Sequence, residues 1–159
     1  MMINETSKRV IPFREHDAKV VGKGCFYLDQ IVWLNGGQIV LGENVGFNFG
    51  CYVNGYGGLS IGDRSLIGPL TTIHTANHAF DDPDAPLLVQ GSIRQPVTIG
   101  KDCWLAMSVC VLPGVTIGDR CVIGAGSVVT KDIPPYSVAV GNPCRVIRDR
   151  RAGRTASSS

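Results

Sequence analysis

The sequence predicts an all-β protein in which very short parallel strands wind into a stacked, triangular coil. Three observations carry that expectation. Glycine makes up 20 of 159 residues, about 13% against a usual share of roughly 7%. Only 11 residues are aromatic although 44% are apolar, so the core has to be built from Val, Ile and Leu. Aliphatic residues recur every six positions without a gap at Ile99, Leu105, Val111, Ile117, Ile123 and Val129. A period of six is neither the helical 3.6 nor the alternation of two that marks an amphipathic strand. The glycine content argues against a helical bundle, and the apolar fraction argues against disorder.

Each part of the chain follows from those observations in turn. Residues 1–20 show no repeat and are expected to form an irregular cap, which would cover the open strand edge of the coil. Their sequence has no apolar stretch of signal-peptide type, and no apolar run in the chain reaches the roughly 18 residues of a membrane span. A cytoplasmic location is therefore expected. The β-coil domain is expected over 21–143. Within it the period of six runs through Leu41, Phe47 and Val53, then restarts two residues out of phase at Ile61, Ile67 and Ile73. Four residues after each anchor stands a small or β-branched residue: Val45, Cys51, Ser65, Thr71, Cys103, Val109, Cys121 and Ser127. Three hexapeptides would make one triangular coil, with coils stacked at about the 4.8 Å strand spacing. Anchors would form ladders inside the prism, the small position would fill the space beneath, and Gly, Ala or Asn after most anchors would suit a tight corner. A small sandwich or Greek-key barrel fits less well, because it would not hold a fixed hexapeptide phase.

The repeat breaks at 74–96, HTANHAFDDPDAPLLVQGSIRQP. Ile73 and Ile99 are 26 positions apart, which is either one further coil plus eight residues or an ejected loop. Long loops on a regular scaffold are more often functional than idle. Two of the three histidines, His74 and His78, lie in it, and histidine titrates near neutrality as a general base must. The last segment, 144–159, holds five arginines and one aspartate, a charge that suits an anionic partner. From Arg150 onward its composition reads as a solvated, disordered tail.

These repeats, the segment TIHTANHAF and the run GAGSVVTKDIPPYSVAVGNPCRVIR at 124–148 resemble the hexapeptide-repeat acyltransferases, over about residues 39–148. The resemblance implies a left-handed parallel β-helix; nothing in the periodicity sets that hand, and most parallel crossovers run the other way. Within the sugar O-acetyltransferase branch, it implies acetyl transfer from acetyl-CoA with His78 as base and His74 lining the same cleft. Asn48, in GFNFG, matches an acceptor-sugar ligand. Met107 would supply a backbone N–H to the developing oxyanion, and Ala106 stands where the family often has Gly. Ala125, Thr130 and Lys131 would contact the pantetheine arm of CoA, and Arg145 and Arg148 its phosphates. Trp104 would line the CoA groove or pack between subunits. The resemblance further implies a homotrimer with active sites between chains, and an acceptor that is a sugar or nucleotide-sugar of surface-polysaccharide synthesis. O-acetylation leads over N-acetylation, and no nucleic-acid partner is expected. Gly55 and Tyr56 stand where some relatives carry an acidic acceptor ligand.

Two other functions fit the same scaffold. A zinc site of carbonic-anhydrase type would need three protein ligands, and His74 and His78 have only the distant His16 or a loop aspartate to complete the set. No metal is expected. A non-catalytic scaffold would leave His78 and the 124–148 match without a purpose. Asp81, Asp82 and Asp84 are near enough in sequence to orient His78, without any one being singled out.

Overall fold

The computed structural model describes residues 11–152. Three parallel sheets form the sides of a prism, and the chain passes from one to the next in about six turns. The first face stacks Val20–Val21, Ile39–Leu41, Leu59–Ile61, Val97–Ile99 and Thr116–Ile117. The second stacks Phe26–Tyr27, Gly46–Phe47, Leu66–Ile67, Trp104–Leu105, Val122–Ile123 and Ser137–Val140, with Arg145–Asp149 added antiparallel at its edge. The third stacks Val32–Leu34, Tyr52–Asn54, Thr72–His74, Cys110–Val111 and Val128–Val129. The coil therefore starts a full turn before the region of family resemblance.

The anchors fill the prism as expected: Leu41, Phe47, Val53, Ile73, Leu105, Val111, Ile117, Ile123 and Val129 are all buried. Burying each such side chain contributes about 1.5–3 kcal/mol relative to leaving it in water. The small positions are buried too, from Val45 and Cys51 to Cys121 and Ser127. Their polar members satisfy themselves on backbone, as when the Ser65 hydroxyl donates to the Gly100 carbonyl at 2.8 Å.

The corners work differently from the expectation at one point. The glycine after an anchor is needed for close approach of coils rather than for a left-handed backbone. A Cβ on Gly62 would lie 2.6 Å from the Lys101 nitrogen of the next coil. The left-handed residue falls two positions later and is usually not glycine: Arg64, Asp102 and Arg120 have φ of 57°, 55° and 60°. These three stack on one edge, where Asp102 accepts from the Arg64 guanidinium at 2.7 Å and lies 3.8 Å from that of Arg120. The ladder of alternating charge holds the strained turns in line.

The scarce aromatics gather at the N-terminal end of the prism. Phe13, Tyr27, Trp33 and Phe47 form a chain of contacts with ring centroids 4.8–5.6 Å apart. Ile11 bridges to Tyr27, and the buried Asp17 accepts from the Tyr27 hydroxyl at 3.0 Å. At the other end Arg150 and Arg151, read from the sequence as the start of a solvated tail, are both held. Arg150 donates to the Arg120 carbonyl at 2.7 Å, and the Arg151 guanidinium lies 4.5 Å over the Tyr136 ring. The remainder of that tail, 153–159, lies outside the described residues.

Candidate active site

The segment 74–96 is an ejected loop and not an extra coil, because Val97–Ile99 pairs directly with Leu59–Ile61. It leaves the prism at the edge between the third and first faces as a two-stranded hairpin, Ala76–His78 against Ser92–Arg94. Beyond the hairpin Gln90 ties the loop together. Its side chain accepts from the Asp82 N–H at 3.1 Å and donates to the carbonyls of Asp82 and Ala85 at 2.9 Å each. The tip carries exposed Phe80, Leu87, Leu88 and Val89.

Between the hairpin and the prism lies a cleft of about 260 Å³, and both His74 and His78 line it. His74 ends a strand of the third face, directly above Asn54 in register. Asn54 is buried, and its Oδ1 accepts from the Tyr56 N–H at 3.0 Å and from Asn35 Nδ2 at 2.8 Å. The Tyr56 N–H can only donate, so the Asn54 amide group must turn its NH2 toward His74 Nδ1, 3.3 Å away. Nδ1 then accepts, and the neutral ring carries its proton on Nε2. His78 is exposed on the hairpin, and its ring has no hydrogen-bond partner among the described residues. Asp82 accepts from the Asp84 N–H at 3.0 Å within the loop, and none of the three loop aspartates reaches His78.

The walls of the cleft include Asn54, which the sequence does not single out, and Tyr56, which it marks only as standing where some relatives carry an acidic acceptor ligand. Leu41 pairs with Ile61, 20 positions on, where later coils repeat every 18. The two extra residues widen the corner that follows Asn54, and that corner carries Tyr56 into the cleft. The phase slip in the hexapeptides was the available signal for Asn54 and Tyr56.

The other candidate residues lie elsewhere on the chain. Asn48, Met107 and Ala125 occupy the edge between the second and third faces, and Trp104 stands 52% exposed on the second face. Met107 shares its corner position with Phe49, Pro69 and Ala125 in the neighbouring coils. Proline at one of them shows that the coil does not need that N–H, and the Met107 N–H makes no backbone hydrogen bond among the described residues. Thr130 and Lys131 follow Val128–Val129 on the same edge as the loop but two coils further on. Arg145 and Arg148 are exposed on the last strand of the second face. One chain thus brings His74 and His78 together and keeps Asn48, Trp104, Met107 and Ala125 on another edge or face. Among the described residues no three His, Cys, Asp or Glu side chains are grouped to hold a metal.

Residues 96–131 match the family described as bacterial transferase hexapeptide (six repeats). Galactoside O-acetyltransferase of Escherichia coli (strain K12) is 40% identical over 147 residues, covering 92% of this chain and 70% of that protein. The chain belongs to the hexapeptide-repeat acetyltransferases. Their fold is the left-handed parallel β-helix, and solved members superpose closely on this one. A maltose O-acetyltransferase from Clostridium difficile 630 aligns with a TM-score of 0.79 at 41% identity, covering 85% of this chain and 71% of that one. A hexapeptide-repeat acetyltransferase from Vibrio cholerae O1, solved with acetyl coenzyme A, aligns with a TM-score of 0.76 at 30% identity, covering 84% and 72%.

Proposed function

We propose that this acetyltransferase moves the acetyl group of acetyl-CoA to a sugar hydroxyl, with His78 as the base. The observation that carries the reading is the histidine-lined cleft between hairpin and prism on a scaffold of this family. His78 would take the proton of the acceptor hydroxyl as its oxygen attacks the thioester carbonyl. The carbon–oxygen bond forms, negative charge collects on the carbonyl oxygen, and the Met107 N–H is the assigned donor to it. Collapse breaks the carbon–sulfur bond, and the departing thiolate takes the proton from the imidazolium. His74, fixed by Asn54 with Nε2–H free, is suited to donate to an acceptor oxygen rather than to remove a proton.

The site is proposed to form between chains of a homotrimer. His78 lies on one edge of the prism and Asn48, Met107 and Ala125 on another, which supports a reading in which a neighbouring copy supplies the second set. The exposed apolar loop tip and the flat sheets offer surfaces for such a contact. CoA is assigned to Trp104, Ala125, Thr130 and Lys131, with Arg145 and Arg148 on its phosphates. A role in the synthesis of a surface polysaccharide or nucleotide-sugar, in the cytoplasm, is part of the same proposal. Cys103 and Cys121 face one another on adjacent coils as free thiols. No helix among the described residues is long and apolar enough to cross a membrane.

The test is thiol release from acetyl-CoA in the presence of a panel of sugars. His78→Ala should lower kcat by about 10²–10⁴ while leaving binding of acetyl-CoA in place. Turnover that survives the substitution undiminished would refute the assigned base.

A further inference from the structure

We propose that Arg94 makes the acceptor cleft selective for sugars that carry an anion, a carboxylate or a phosphate, near the hydroxyl to be acetylated. The inference rests on the acceptor reading of the cleft given above and goes on to name the class of acceptor.

The hairpin places Arg94 where it can act. Side chains alternate across a strand, so Ala76, His78, Ser92 and Arg94 share one face of the hairpin. The first three line the cleft together with Asn77, and Arg94 is not one of its walls but rests on Tyr56, which is. Arg94 lies directly opposite Ala76, whose small side chain leaves room for it, and diagonal to His78. Its guanidinium stacks 3.8 Å from the centroid of the Tyr56 ring and donates through one terminal nitrogen to the Tyr56 hydroxyl at 2.5 Å. Tyr56 is itself a wall of the cleft. The cation is therefore held at the rim by a platform, and its position does not depend on a carboxylate.

Elsewhere in the fold Arg14, Arg64, Arg120 and Arg151 each have an aspartate within 4 Å, whereas Arg145, Arg148 and Arg150 on the last strand and just beyond it have none among the described residues. Arg94 has no carboxylate partner among the described residues, and a phenol oxygen engages only part of a guanidinium with five N–H groups. None of the cleft-lining residues is acidic, so nothing there repels an anion. The proposed chemistry adds a further reason. A base that becomes an imidazolium beside a fixed cation is penalised, and an anion on the acceptor would cancel that penalty as the proton moves. The planar fork suits carboxylate and phosphate alike.

The experiment compares kcat/KM of the full-length protein, at saturating acetyl-CoA, for glucose and galactose, for glucuronate and galacturonate, and for glucose 1-phosphate and galactose 1-phosphate. One anionic class should exceed its neutral parents by about tenfold or more, the worth of one charge-assisted contact, and the two arms separate carboxylate from phosphate. Arg94→Ala should erase the preference, Arg94→Lys should keep part of it, and Arg94→Glu should shift it toward glucosamine, cationic at neutral pH. Equal turnover of neutral and anionic sugars by the unsubstituted protein overturns the inference alone. So does an Arg94→Ala variant that slows both classes by the same factor. Turnover of none of the sugars, with acetyl-CoA still bound, overturns the sugar reading and takes this one with it.

Discussion

Asn54 shows how much of the cleft depends on one side chain that does no chemistry. It is buried, its oxygen holds the corner N–H of Tyr56, and its NH2 faces His74. Replacing it with alanine would leave the Tyr56 N–H and the Asn35 amide without an acceptor, each a loss of about 1 kcal/mol or more. Asn54→Ala is thus expected to lower stability by about 1–3 kcal/mol in urea unfolding. It should also raise KM for the acceptor more than KM for acetyl-CoA, because both His74 and Tyr56 lose their support. Equal effects on the two KM values would place Asn54 in the scaffold only. Residues of this kind are hard to read in a sequence: asparagine at a corner is ordinary, and only its neighbours in the adjacent coils give it a purpose.

At the scale of elements, the N-terminal segment and the hairpin are both departures from the repeat, and each is secured by side chains. Asp17 is the hub of the first. Burial alone would raise its carboxyl, yet the Arg14 N–H and guanidinium and the Tyr27 hydroxyl outweigh it and hold the group below its ordinary 3.8. A group lowered in the folded state stabilises above its unfolded value, and that contribution fades as the pH falls through the folded one. Asp17→Asn should therefore cost about 1–2 kcal/mol at pH 7, a modest figure because Arg14 is mostly exposed. The gap between the two proteins should close as the pH drops below about 4. A gap that stays constant with pH would show that the charge does not matter. The hairpin is held instead by Gln90 and by the Arg94–Tyr56 stack. The sequence marks both departures as breaks in periodicity and is silent on what ties them down, because those ties join residues as far apart as 56 and 94.

At the scale of the whole molecule the decisive fact is that a prism has three edges. His78 projects from one of them and Asn48 from another, so one chain holds the two apart. If copies share sites in a trimer, His78→Ala and Asn48→Ala should each be nearly inactive alone. Unfolding and refolding them together in equal amounts should then restore about a quarter of normal activity, since that share of interfaces receives both intact residues. No recovery on mixing, with trimers present in solution, would place the complete site within one chain.

The hexapeptide anchors and their small partners were legible in the sequence because a solenoid repeats its packing every turn, so that each buried position is written several times over. The ejected loop, its two histidines and the family resemblance were legible for the converse reason: they interrupt a pattern that is otherwise regular. The period does not decide what happens where coils are stacked. Which edge carries the loop, how the two-residue phase slip opens a corner for Tyr56, and how Arg94 comes to rest on that ring all depend on distances between coils. Those distances exist only once the chain has wound on itself, and they set Arg94 on the ring of Tyr56, a wall of the cleft that holds the histidines, which the residue order alone did not reveal.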